Sequence, residues 1–171
     1  PGVEGTGNLT GLFTVLVEGD DLNEPISDAV RGIIDGHIVL GRSIADRGRY
    51  PAIDVLKSVS RMMPDCNTQK ENEIVVRARG LMASYEQMAD MIRLGAYRRG
   101  SDPVLDEAIK HYPALEKFLA QEKNERADIE EGYSVLASIL EINDADDGAE
   151  FEDLELNNES PINEATILKD S

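Results

Sequence analysis

The order of apolar and polar residues divides the chain near Pro64. Before that point two short, nearly continuous apolar runs, 9–17 and 37–40, are typical of strands buried on both faces of a parallel sheet. A short helix is predicted over 26–34 because Pro25 stands near its first turn. A helical turn over 42–46 and a loop as far as Met63 complete this part.

After Pro64 the apolar residues recur at helical spacing, which predicts a long amphipathic helix over 70–94. Asp102-Pro103 predicts the start of a second helix, with Asp102 as its N-cap. Tyr112-Pro113 is expected to break that helix, so that a separate one follows. The apolar positions that mark the last two helices are Leu115, Phe118 and Leu119, and then Ile129, Tyr133, Leu136 and Leu140.

Composition shifts near Asn143 to an acidic segment without a sustained apolar face, which predicts disorder. The chain is thereby divided into an α/β segment (1–64), a helical domain (65–141) and an acidic disordered tail (142–171). Residues 141–171 hold eleven acids and one Lys, contributing −10 of the net charge of −17. Such a charge argues against binding of nucleic acid.

Two or three strands cannot form a stable two-sided parallel sheet, so the chain is expected to be part of something larger. Its first residue, Pro1, also suggests a start inside a longer protein. Cys66 is the only cysteine, which fits a reducing cytoplasm. Neither the two separated His residues nor Cys66 suggests a metal site.

No G-x-x-x-x-G-K-[ST] phosphate loop occurs in the sequence. Two side chains in 35–63 are nevertheless candidate functional residues. They are Tyr50 in Tyr-Pro-Ala-Ile-Asp and Arg61 in Ser-Val-Ser-Arg. From the residues alone, Tyr50 is a half-buried packing residue and Arg61 a surface arginine near a helix end. Asp20 and Asp21 are consistent with a solvated turn.

The two most informative runs are DGHIVLGRSIADRGRYPAIDVLKSVSRMM at 35–63 and VEGDDLNEPI at 17–26. The first resembles the C-terminal part of the RecA-like P-loop NTPase core in the rotary ATP synthase superfamily. The second narrows the resemblance to the ATPases of flagellar and type III protein export. It covers about 7–137 and implies a RecA-like core segment followed by an α-helical C-terminal domain.

The resemblance implies a role for each candidate residue. Arg61 aligns with the catalytic arginine finger that enters a neighbouring subunit's active site, and Tyr50 with Pro51 aligns with the adenine pocket. Asp20 and Asp21 would face the central channel, and a basic cluster would meet the central stalk, a solvated helix end remaining the alternative. The members of that cluster are Arg93, Arg98 and Arg99.

The implied cofactor is ATP, with Mg²⁺ bound by residues upstream of this segment, so that the segment alone is expected to be inactive. The implied assembly is a homo-oligomer, a hexamer, in the cytoplasm and peripheral to the inner membrane. Implied partners are a coiled-coil stalk protein, a regulator, the export gate and export substrate–chaperone complexes. Two alternatives stay open: a non-catalytic interaction module and a vacuolar-type rotary ATPase subunit.

Overall fold

The computed structural model describes residues 7, 10–17 and 25–142. Asp20, Asp21 and the predicted tail from 143 onward lie outside the described residues. Within the described part no helix is long and apolar enough to cross a membrane. The elements are α1 (Pro25–Ile33), β1 (Gly36–Leu40), α2 (Arg42–Asp46), β2 (Ile53–Ser60), α3 (Gln69–Arg93), α4 (Pro103–Leu119) and α5 (Ile129–Ile139).

Residues 68–142, called the helical unit below, are organised by side-chain caps at each helix start. Thr68 and Glu71 form a capping box at α3, in which each side chain bonds the other residue's backbone N–H. Asp102 caps α4 and Asp128 caps α5, each by accepting two backbone N–H bonds. These bonds satisfy first-turn amides that have no partner within the helix, so they fix where each helix begins.

The helical unit closes around one aliphatic core contributed by α3, α4 and α5. Val55 and Leu56 of β2 pack against this core from outside. The strand is therefore attached to the helices by apolar burial. The buried core residues are Ile74, Ala78, Leu81, Met82, Leu105, Ala108, Leu115, Leu136 and Leu140.

Residues 25–60, called the hairpin unit below, are built around β1 and β2, which pair antiparallel with a register irregularity between His37 and Val39. Gly36 lies opposite Ser60, and a Cβ at Gly36 would stand 2.8 Å from the Val59 carbonyl oxygen. Only glycine permits this close approach. Because Ser60 ends β2, the pairing also fixes the position of Arg61 next to α1.

The prediction of strands buried in a parallel sheet is wrong for the described residues. Residues 37–40 do lie in a strand, but that strand pairs antiparallel, and Ile38 is 69% exposed. Residues 10–17 form no strand, and Leu12 is 94% exposed. The reason is that a strand needs a partner, and the two strands of the described part pair only with each other.

Two further expectations are corrected. The predicted loop before Met63 contains β2, an eight-residue strand. The predicted break at Tyr112-Pro113 is absent, because α4 continues through Pro113 to Leu119. Tyr112 and Leu115 are buried on either side of the proline, and this tertiary packing outweighs the loss of one helical N–H bond.

Candidate functional site

Tyr50 lies in the short loop between α2 and β2, and its side chain is 61% exposed. Its ring has no stacking partner among the described residues, where Tyr85 and Tyr112 form the one stacked pair. Tyr50 therefore presents an open aromatic face, which suits contact with a nucleotide base. The adjacent Pro51 is also exposed, so both predicted pocket residues are at the surface.

The loop beneath Tyr50 is held by backbone bonds on both sides. The Gln121 N–H, just after α4, donates to the Tyr50 carbonyl oxygen at 2.8 Å. The Gly41 N–H donates to the Ala52 carbonyl oxygen at 2.9 Å, which closes the loop against the end of β1. The exposed ring thus stands on a fixed backbone.

Arg49 is the buried anchor of the same loop, with 7% of its surface exposed. Its Nε lies 3.2 Å from Oε2 of Glu116 in α4, in an ion pair without hydrogen-bond alignment. Its Nη2 donates to the Ile53 carbonyl oxygen at 3.1 Å. Burying a guanidinium costs free energy unless an opposite charge lies close to it, and the Glu116 carboxylate supplies that charge for Arg49.

Glu116 also accepts a hydrogen bond of 3.2 Å from the Tyr112 hydroxyl. Tyr112 stacks on Tyr85 of α3, with ring centroids 3.6 Å apart and planes 13° from parallel. Burial, together with the charge of the nearby Glu116 carboxylate, raises the pKa of Tyr112 to about 12. Arg49, Glu116, Tyr112 and Tyr85 therefore form a continuous contact from the Tyr50 loop to α3.

Arg61 is exposed and lies directly after β2. Its backbone N–H donates to the Asp35 carbonyl oxygen at 2.8 Å. Its Nη2 lies 3.0 Å from the Arg31 carbonyl oxygen and 3.4 Å from that of Gly32. Both carbonyls belong to the last turn of α1, so in this conformation the guanidinium caps the C-terminus of a helix.

Arg79 of α3 holds the strand that connects Tyr50 to Arg61. Its guanidinium donates to the carbonyl oxygens of Leu56 at 3.3 Å and Ser58 at 3.4 Å. The helical unit therefore holds both the Tyr50 loop and the strand that leads to Arg61.

The predicted stalk-contact arginines lie in and beside the turn between α3 and α4. Arg98 and Arg99 are exposed, and neither side chain has a partner among the described residues. Arg93 pairs with Asp90 at 3.6 Å. At the surface such a pair contributes little to stability.

Asp106 of α4 shapes that turn. It accepts from the Tyr97 hydroxyl at 2.9 Å and from the Gly100 N–H at 2.7 Å. Partial burial, and then the hydrogen bond to Asp106, raise the pKa of Tyr97 above its ordinary value. Asp106 therefore holds the turn between α3 and α4 that carries Arg98 and Arg99, called the basic turn below.

The structure separates the candidate residues into three places. Tyr50 and Arg61 lie at opposite ends of β2. The basic turn joins the C-terminal end of α3 to the N-terminal end of α4. Asp20 and Asp21 cannot be placed, since they lie outside the described residues. Across 25–142 and the shorter described stretch, no group of three or more His, Cys, Asp or Glu residues is arranged to hold a metal.

Sequence reasoning missed Arg49 and Glu116. The available signal was the pattern Arg49-Tyr50-Pro51, which places a charge directly before a restricted turn. Nothing in the sequence indicated that this charge is buried or that its partner lies in α4, 67 positions further along.

Comparison with known proteins finds two family models in order along the chain. Residues 2–60 match the nucleotide-binding domain of the ATP synthase alpha/beta family, and residues 67–138 match the T3SS EscN ATPase C-terminal domain. The flagellum-specific ATP synthase of Caulobacter vibrioides is 56% identical over 133 residues, or 78% of this chain and 30% of that protein.

Among solved structures, the assembled ATPase EscN of the enteropathogenic E. coli type III secretion system superposes with a TM-score of 0.75. It is 36% identical over 79% of this chain and 33% of the EscN chain. EscN in complex with its central stalk EscO gives a TM-score of 0.64 at 35% identity, over 68% of this chain and 29% of the other. This chain therefore spans about a third of its relatives. The predicted α/β segment with a helical C-terminal domain is confirmed.

Proposed function

We propose that this chain is the C-terminal part of an ATP-hydrolysing motor subunit for flagellar or type III protein export. It belongs to the type III secretion ATPase family over residues 67–138 and to the ATP synthase alpha/beta family over residues 2–60. The observation that carries the proposal is the order of the two matched domains, together with 56% identity to a flagellum-specific ATP synthase. The geometry adds that an open aromatic ring and an exposed arginine flank one anchored strand.

Tyr50 with Pro51 would contact the base of ATP bound to its own chain. The support is an exposed ring on a loop fixed by the Gln121 N–H and by Arg49. Stacking of a base on an aromatic side chain is worth about 1–3 kcal/mol. Residues upstream of this segment would supply the phosphate loop and the Mg²⁺ ligands, which is why the segment alone is expected to be inactive.

Arg61 would act on the nucleotide of a neighbouring subunit. A guanidinium there stabilises the negative charge that develops on the transferred phosphoryl oxygens, an effect worth about 10³–10⁵ in rate. An eight-residue strand is about 25 Å long. With Tyr50 and Arg61 at its two ends, two separate nucleotide sites are favoured over one.

The chain would work in a homo-oligomer, a hexamer, since Arg61 needs a second subunit to act upon. The basic turn would meet the central stalk, and Asp20 with Asp21 would face the central channel. EscN is reported in complex with its central stalk EscO, which supports this assignment by similarity. Arg98 and Arg99 are exposed and suited to an acidic partner helix.

The remaining features of the proposal concern organisation and location. The α/β segment would end at 64 and the helical domain at 141, and the acidic tail would follow. The motor would operate in the cytoplasm, peripheral to the inner membrane. It would contact a regulator, the export gate and export substrate–chaperone complexes.

The test is a mixing experiment with the full-length protein. One variant carries Arg61→Ala, and the second carries a substitution that inactivates the upstream phosphate loop. Each variant alone should be inactive, whereas mixed rings should recover ATP hydrolysis, because an intact Arg61 then faces an intact phosphate loop. Arg126→Ala, at another exposed arginine, is the matched control and should keep full activity.

If Arg61→Ala alone keeps near-normal turnover, Arg61 is only the cap of α1. If the full-length reading frame holds no phosphate loop at all, the chain is an interaction module and not part of a motor.

A further inference from the structure

We propose that Glu116 and the backbone N–H of Gln121 are positioning groups, which hold the Tyr50 loop from the end of α4 and thereby set the place from which the Tyr50 ring meets the nucleotide. The proposal rests on the proposed function, since it assumes that Tyr50 contacts the base. It concerns residues of the helical unit that do not themselves touch the nucleotide.

The first step is that no contact of its own side chain holds Tyr50 in place. Its side chain is largely exposed, and among residues 25–142 it has no hydrogen-bond or stacking partner. The backbone at 49–51 therefore sets the position of its Cα–Cβ bond, and with it the region of space that the ring can reach. Pro51 fixes its own φ and also restricts the residue before it, which leaves few conformations open to Tyr50.

The second step is that this backbone is held by α4 at two adjacent points. The Arg49 side chain is anchored to Glu116, and the Tyr50 carbonyl oxygen accepts the Gln121 N–H at 2.8 Å. Together with the Gly41 to Ala52 bond, these contacts hold both sides of the loop. Without the two α4 contacts, the loop would keep only its bonds within the hairpin unit, such as those from Arg49 to the carbonyl oxygens of Ile44 and Ile53.

The third step is that the anchoring groups themselves stand on a rigid element. Glu116 follows Leu115, which is 1% exposed, and the Tyr112 hydroxyl donates to the same carboxylate. Gln121 follows α4 after Ala120, the residue that ends the helix in an extended conformation. The packing of α4 on α3 and α5 therefore fixes Glu116 and Gln121, and these two residues hold the loop.

Gln121→Pro tests the backbone bond, because it removes the N–H that the Tyr50 carbonyl oxygen accepts, together with the Gln121 side chain. Ala120 has φ −84° and ψ 139°, a conformation that a following proline accepts. Gln121→Ala is the matched control, since it keeps the N–H but loses the side-chain bond to the Glu125 carbonyl oxygen. Both variants are made in the full-length protein.

Gln121→Pro should raise the KM for ATP, with kcat changed by no more than about twofold. Complete loss of a base–aromatic contact corresponds to about 5- to 150-fold in affinity, so a loosened ring should raise KM by about 5-fold. Gln121→Ala should leave KM unchanged. Equal KM values for the two variants would contradict the proposal.

Glu116→Gln is the second variant, because it removes the charge opposite Arg49 and keeps the size of the side chain. Its control is Glu107→Gln, which breaks the Arg77–Glu107 pair of 2.6 Å between α3 and α4, away from the loop. Glu116→Gln should raise KM as Gln121→Pro does, and Glu107→Gln should not. In a Tyr50→Ala background neither Glu116→Gln nor Gln121→Pro should raise KM further, and an additional rise there would overturn the proposal.

Hydrogen exchange gives a readout independent of ATP hydrolysis. The Gly41 amide, which donates to Ala52 across the loop, should exchange at least about tenfold faster in Gln121→Pro and Glu116→Gln than in the control variants. Unchanged exchange in both would overturn the positioning role, whatever the kinetics. If exchange rises but Tyr50→Ala leaves KM unaltered, the base contact fails and the anchoring of the loop stands.

Discussion

The helical unit and the hairpin unit differ in how they are held together. The helical unit buries nine apolar or methyl-bearing side chains in one core and caps each of its helices. In the described hairpin unit the one buried apolar side chain is Ile44, and the other buried residues are Ser27 and Arg49. One unit carries its own core, whereas the other relies on backbone pairing and on contacts with its neighbour.

The difference between the two units matches the roles that the family similarity suggests for their residues. The exposed residues proposed to meet nucleotide, Tyr50 and Arg61, both lie on the hairpin unit or at its end. The helical unit holds the Tyr50 loop through Glu116 and Gln121, and holds the strand that leads to Arg61 through Arg79. A weakly cored unit bearing the reactive residues can thus be set in place by a well-cored unit beside it.

The largest contrast between the units is expected in hydrogen exchange of the isolated chain. Amides inside α3 and α4 should show protection equivalent to about 5 kcal/mol or more, because they open only with the core. Amides of 10–17 should exchange near the unprotected rate, since no strand pairs with them. High protection across 10–40 together with one cooperative thermal transition would erase the contrast.

Core truncation should separate the units by a smaller amount. Leu115→Ala removes a side chain that is almost fully buried and should lower the free energy of unfolding by about 2–5 kcal/mol. Ile38→Ala, at an exposed strand position, should change it by no more than about 0.5 kcal/mol. Chemical denaturation of both variants measures the difference, and equal losses would place a second core in the hairpin unit.

Alkaline pH should weaken the junction of the two units through Tyr112. Its folded-state pKa of about 12 lies above the ordinary value of 10.0, so the folded state keeps a proton that the unfolded state loses. The stabilisation is complete below pH 10 and is lost as pH rises toward 12. The loss reaches at most about 2–3 kcal/mol, at one pKa unit per 1.36 kcal/mol.

Tyr112→Phe tests this assignment, because it removes the titrating group and keeps the stack on Tyr85. Denaturation from pH 9 to 12 should then show a shallower decline than the parent chain. Tyr133→Phe, at another tyrosine of the helical unit, is the control and should keep the full slope. The same slope in Tyr112→Phe as in the parent would assign the alkaline loss to another group.

The smallest effect is expected at the basic turn. Asp106→Ala removes the acceptor of the Gly100 N–H and one of the two acceptors of the Tyr97 hydroxyl, so it should lower the free energy of unfolding by about 1 kcal/mol. The Tyr97 pKa should fall part of the way toward its ordinary value, since burial still raises it but the hydrogen bond to Asp106 is gone. Ultraviolet titration of the tyrosines measures that shift. Asp90→Ala, which removes only a surface ion pair, should leave it unchanged.

The helices of the second half could be predicted because their signals are local. Apolar spacing located α3, α4 and α5, and Asp102 was predicted as a cap from its place before Pro103. The error at Pro113 shows the limit of a local rule, since burial of the residues on either side decided the outcome. Strand β2 was missed because Leu56 and Lys57 interrupt the alternation of apolar and polar residues along 53–60.

The candidate site could be predicted only in part. Arg61 and Tyr50 were found through the family resemblance, and their assigned roles stay predictions. The anchors were not found, because Arg49 and Glu116 are an ordinary charged pair until the fold brings them together. Contacts between distant positions depend on packing, which no single stretch of sequence encodes.

The contact between Arg61 and the end of α1 has a consequence for substitution. Within the described residues a single terminal nitrogen, Nη2, makes both contacts to the α1 carbonyls. An arginine has two further donor nitrogens, Nε and Nη1, so it can bond the helix through Nη2 and donate to another group at the same time. A lysine has one nitrogen for all its contacts. At this position the shape of the cation, and not its charge alone, decides whether a replacement is tolerated.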